Sequence, residues 1–175
     1  MESILSKIEK NDLRELLVKG WMTHDAMWLY HCFEECGMEK TNIINKAAVR
    51  SMSAIEIRRV MKALGLPKDY RIETFDELVN VMMGAFELIS GEFMKFSFFS
   101  PEKNLIQWEW GSGKCFAYEG VSSIGVIDNY DCGIMIRIES WLQGLNVDYT
   151  MIPKIQGCLM HKNGECKGDF RFSLI

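Results

Sequence analysis

The pattern of apolar residues changes character near residue 91, and this change restricts the fold more than any other feature of the chain. Before it, apolar positions recur at helical spacing: Ile4, Leu5 and Ile8, then Leu13, Leu16 and Leu17. Gly20 is expected to stop the first helix, and Thr23 to cap a second that ends at Cys36 with Gly37 in a left-handed conformation. A third is predicted from Thr41 to Leu64, closed by Gly65 and Pro67. A fourth runs from the T-F-D-E capping box at Thr74 and Glu77 to about Ser90.

Beyond Gly91 the signal is that of strands. Phe93 to Phe99 and Leu105 to Trp110 are aromatic-rich runs separated by S-P-E-K-N, which predicts a hairpin. Ile134, Ile138, Trp141, Leu142 and Leu145 share one helix face. Asn163-Gly164 is a two-residue turn signal, and Phe170, Phe172 and Leu174 alternate with Asp169, Arg171 and Ser173, so a second hairpin is expected to close the chain. Helices gathered first and antiparallel strands later, without βαβ alternation, define an α+β fold with an N-terminal helical layer packed on a twisted antiparallel sheet. At 175 residues a single domain is expected over 1–175, mainly helical over 1–90, with strands and one helix over 91–175.

Charge and hydropathy exclude several functions. Twenty Lys and Arg against 24 Asp and Glu give a net charge of −4, which supplies no basic field for a phosphate backbone, so nucleic acid is not an expected partner. The apolar run Val81 to Ile89 is broken by Glu87 well short of about 20 residues, so no membrane span is expected. The start MESILSKIEK has charges where a signal peptide needs its apolar region. A cytoplasmic location follows, with Cys32, Cys36, Cys115, Cys132, Cys158 and Cys166 as reduced thiols.

Three constellations carry candidate chemistry. On the helix through W-M-T-H-D-A-M-W-L-Y-H-C-F-E-E-C, Met22, Ala26, Leu29, Phe33 and Cys36 share one stripe, while His24, Trp28, His31 and Glu35 cluster opposite. That second cluster is either a solvated polar face or, with Trp21, part of a pocket wall. On the third helix, Asn45 and Glu56 fall inside the apolar arc of Val49, Met52, Val60 and Ala63. A carboxylate there must find a cation, a metal or hydrogen-bond donors. Arg59, three positions on, is the local candidate; a polar cavity shared with His24 or His31 is the functional one.

The third constellation is C-L-M-H-K-N-G-E-C, in which Cys158, His161 and Cys166 are spaced like half a zinc ribbon. In a regular hairpin only His161 and Cys166 converge. A bulge, with Cys115 or Cys132 added, would complete a shell for a divalent ion, Zn²⁺ or Mn²⁺. Buried thiols are the simpler alternative. The twelve methionines suit either ordinary core packing or a deformable apolar pocket.

The segment G-W-M-T-H-D-A-M-W-L-Y-H-C-F-E-E-C-G-M-E-K-T-N-I-I-N-K, continuing to I-E-I-R-R-V-M-K-A-L-G, resembles a family of uncharacterised cytosolic proteins of bacteria and archaea. C-F-A-Y-E-G-V, I-D-N-Y and C-L-M-H-K-N-G-E-C-K-G-D-F-R-F-S-L are more loosely similar to the end of that family. They are distantly similar also to the aminothiazoline-carboxylate hydrolase family and to the vinyl-reductase-type small-molecule-binding domain. The binding-domain resemblance implies helices packed on an antiparallel sheet around an apolar cavity. The hydrolase resemblance implies metal dependence.

The expected function is binding of a small apolar or amphipathic molecule, with Trp21, Trp28 and Met52 in the wall and His24, His31, Asn45 and Glu56 as the polar contacts that orient it. The first alternative is a metal-dependent hydrolase of a small amide or heterocycle, in which Glu56 or Glu35 and a histidine hold the ion. The second is a subunit whose exposed aromatic and methionine patch docks a protein, a homodimer being one such assembly.

Overall fold

A computed structural model describes residues 3–175. Its longest helical run, α1, covers Lys10–Ala63, but Gly37 inside it has φ 74° and ψ 165°, which is not helical. A straight helix from Trp21 to Glu56 would be about 50 Å long at about 1.5 Å per residue. Yet both residues contact the same side chain, that of Arg137. The run is therefore two arms, 10–36 and 38–63, folded back on each other at Gly37.

Gly37 does what its position in the sequence suggests, supplying a positive φ where a side chain would be strained. The expected boundary between Gly20 and Thr23 is not one. Gly20 lies within the first arm, and the helix continues through it. The hydroxyl of Thr23 donates to the carbonyl of Lys19, four residues back, so Thr23 sits inside a helix rather than capping one, whereas the second arm begins within three residues of Thr41.

Helix α2, Phe75–Ile89, begins at the predicted capping box: Glu77 N–H donates to Thr74 Oγ1, and Thr74 N–H to the Glu77 carboxylate. Strands β1 (Phe96–Glu102) and β2 (Leu105–Trp110) form the expected hairpin. Helices α3 (Phe116–Ser123) and α4 (Gly133–Gly144) follow, then β3 (Thr150–Ile152), α5 (Leu159–Asn163) and β4 (Cys166–Arg171). The four strands form one antiparallel sheet in the order β1-β2-β4-β3.

The closing hairpin is not formed. Asn163 ends the short helix α5, and Gly164, at φ 74°, is its left-handed C-cap, so the turn signal leads from a helix into β4. The alternation read in the last strand does hold: Phe170 and Phe172 are buried, and Arg171 is exposed. Gly168 of β4 packs where a Cβ would stand 2.4 Å from the Ile152 carbonyl oxygen and 2.5 Å from the Trp108 ring.

One buried cluster joins the two halves of the chain. Ile57 and Val60 of α1, Leu78, Val81 and Met82 of α2, Trp108 and Phe170 of the sheet, and Ile138, Trp141 and Leu142 of α4 all belong to it. The fold is α+β, with the helical layer and the sheet sharing this core. No helix among the described residues is long and apolar enough to cross a membrane.

Candidate functional site

Where the two arms of α1 part from α4 and the sheet, they leave a cavity of about 340 Å³. The first arm contributes Trp21, Met22, Ala26 and Leu29, and the second Asn45, Val49 and Met52. Phe86 and Ile89 come from α2, Phe96 and Trp110 from the sheet, and α3 and α4 supply most of the rest. The aromatic part is continuous. Phe86 lies 5.1 Å from Phe96 and 5.4 Å from Trp141 between ring centroids, and Phe96 lies 5.4 Å from Trp110. Rings tilted at these distances pack favourably and give a stiff apolar surface.

One strong charge enters this surface. Arg137 sits on α4 between Ile134, Ile138 and Trp141, inside that helix's apolar face. Its Nε donates to Glu56 Oε2 at 2.8 Å, and its Nη2 donates to Glu56 Oε1. Trp141 Nε1 also donates to Glu56 Oε2, at 2.9 Å. The guanidinium lies 4.7 Å from the Trp21 ring and 5.5 Å from the Trp141 ring. A largely buried charge survives only when paired and hydrogen-bonded, and here a two-pronged carboxylate and two aromatic faces do that work. Nη1 has no acceptor among the described residues, so an edge of the guanidinium is left over at the cavity.

Two further polar groups line the cavity without a side-chain hydrogen bond among the described residues, Asp25 and Asn45. Asp25 is exposed at the rim. Partial loss of water raises its carboxyl above the usual carboxylate range, while the charges of Arg137 and His24 pull it back. Asn45 Nδ2 would be 3.1 Å from a Cβ on Gly133, so that glycine lets the amide approach α4. Trp110, also in the wall, is buried with no acceptor for its indole Nε1 among the described residues.

The residues singled out from sequence divide into three groups. Trp21, Asn45 and Met52 line the cavity. Glu56 stands behind it, its oxygens occupied by Arg137 and Trp141; the expected local partner Arg59 is not the one it takes. His24, Trp28 and His31 do not line the cavity, which corrects the expectation of a hollow shared by two imidazoles and Glu56. They lie on the outward face of the first arm, where Trp28 Nε1 donates to His24 Nε2 at 3.2 Å and His31 pairs with Glu34 at 3.0 Å. The helical wheel had put them opposite the apolar stripe, and that face turns to solvent.

The proposed metal triad is also separated. His161 Nε2 bonds Asp128 at 2.7 Å at the surface, whereas Cys158 and Cys166 are buried. Together with Cys115 and Cys132 these two thiols border a second, small space of only about 10 Å³. No three His, Cys, Asp or Glu side chains among the described residues group as ligands for one ion. Burial pushes the Cys132 and Cys166 thiols up to about 12 and raises Cys115 as well, so these sulfurs are protonated near neutral pH.

Sequence reading missed Asp25 and Arg137. For Arg137 the signal was present: it falls three positions after Ile134 and four before Trp141, inside the same stripe, as Glu56 does on its own helix.

The chain belongs to the family of unknown function DUF6125, whose sequence model matches residues 3–94. The match covers both arms of α1 and all of α2, and it stops where the sheet begins. No curated protein and no solved structure matches the chain. The likeness to the hydrolase family and to the vinyl-reductase-type domain expected from the C-terminal motifs finds no support in these comparisons.

Proposed function

We propose that this protein binds a small, largely apolar molecule in the cavity between the arms of α1, α4 and the sheet. The observation that carries the reading is the combination of an aromatic and methionine-lined hollow with a single, rigidly held guanidinium at its wall. Ligand sites are typically mostly apolar with a few fixed polar groups, and a cavity of about 340 Å³ lies within the usual range of roughly 300–1,000 Å³. We further place the protein in the cytoplasm, a setting that suits its six cysteines, all of them free.

Titration with Nile red, an uncharged apolar dye, tests this. Binding at one site with a blue-shifted emission is expected, and it should weaken in Met52→Trp, whose larger ring intrudes into the cavity while circular dichroism stays unchanged. A wild-type protein that leaves the dye in water would overturn the reading.

A second reading has a specific observation behind it: Leu16, Leu17 and Trp28, outside the cavity lining, expose from 61% to 64% of their surface on the first arm. Such exposure suits docking of another copy of the chain. The metal-dependent hydrolase gains no such support, because Glu56 is fully engaged by Arg137 and Trp141.

A further inference from the structure

The polar groups at the cavity narrow the kind of molecule it takes, an argument that rests on the pocket reading above. Arg137 and Glu56 neutralise each other, so the guanidinium contributes donors but little net charge. Asp25 at the rim adds an acceptor with no hydrogen bond of its own among the described residues, and Asn45 offers one donor group and one acceptor. The local balance is one positive charge against two negative ones when Asp25 is ionised. An anionic head group would satisfy the free edge of Arg137 but meet the Asp25 carboxylate. A cationic one would satisfy Asp25 but face the Arg137 guanidinium at close range and leave its free edge without an acceptor.

We infer that the ligand carries no net charge and has a polar end presenting an acceptor beside a donor, a carboxamide or an amino-acid zwitterion, on an apolar body. The acceptor meets Arg137, the donor meets Asp25, and Asn45 takes either remaining group. The body lies along Phe86, Phe96 and Trp110.

The test is displacement of Nile red from the wild-type protein by octanamide, α-aminooctanoate, octanoate and octylamine, which share one chain and differ in the head. Octanamide or α-aminooctanoate should compete at least about tenfold better than either singly charged probe, and whichever of the two is stronger separates amide from zwitterion. In Asp25→Asn, octanoate should gain and octylamine lose by a similar factor; this variant removes no hydrogen bond from the fold. Equal competition by all four heads, or preference for either singly charged one, overturns the inference and leaves the pocket standing. Failure of Nile red itself to bind overturns both.

Discussion

Glu77 shows how much one side chain can fix. Its carboxylate accepts the backbone N–H groups of Glu73 and Thr74 and the hydroxyl of Tyr70, and these bonds hold it down to about 2 from an ordinary 4.5. A carboxyl with a depressed folded value adds stability that is complete above its unfolded value and disappears as pH falls through the folded one. The contribution should therefore be lost between about pH 4.5 and about pH 2. Urea denaturation across that window should show a steep loss for the wild type and a shallower one for Glu77→Gln, which is already weaker at neutral pH; parallel curves would contradict this.

The capping box around Glu77 was legible because its partners lie within a few residues. Glu56 was only half legible. An acid within an apolar arc announces that it needs a partner, but that partner lies 81 positions away on α4, a distance no helical wheel reports. The histidines failed for the opposite reason. Their wheel position was read correctly, but two nearby tryptophans suggested a wall, whereas Trp21 turns inward against Arg137 and Trp28 remains 62% exposed.

At the level of elements, two glycines of α1 have opposite roles. Gly20 is helical with nothing within 4 Å of where a Cβ would stand, whereas Gly37 holds φ at +74° at the reversal. Gly20→Ala should stabilise the protein by roughly 0.5–1 kcal/mol, because it removes conformational freedom from the unfolded chain and adds helix propensity. Gly37→Ala should cost about 1–3 kcal/mol, the penalty of a side chain at a positive φ with ψ near 165°, a region almost confined to glycine. Midpoints of urea denaturation compare the two directly, and a Gly37→Ala protein as stable as the wild type would mean that the reversal does not depend on that residue. Both glycines look alike in sequence as helix stops. What separates them is tertiary: Met38, Thr41 and Asn42 beyond Gly37 are buried, and the Asn42 amide donates to the Asn129 carbonyl and accepts from Asp131 N–H, fixing the second arm against the loop before α4. Around Gly20, Val18 is buried and Trp21 packs on Arg137, contacts that an uninterrupted helix makes without reversing. The same lesson applies to Asn163-Gly164, where a strong local turn signal serves as a helix exit.

On the scale of the whole molecule, the helix-then-strand order determined the fold class from sequence, because periodicity survives any arrangement of the elements. The cavity did not follow from it, since its walls come from segments as far apart as Trp21 and Trp141. The matched family segment, residues 3–94, forms the helical wall, and the sheet and α4 supply the other. The exposed residues Leu16, Leu17 and Trp28 are a property of the assembled surface as well. If they dock a second copy, light scattering should find a mass near twice that of the chain at micromolar concentrations, and Trp28→Glu should return the protein to a monomer; a monomeric wild type would remove that reading.

The indole rings have one more consequence. Three of the five tryptophans, Trp21, Trp110 and Trp141, border the hollow. The ultraviolet emission of the native chain thus comes in large part from chromophores at the place where a guest would lodge. The molecule carries a label-free optical gauge of its own occupancy.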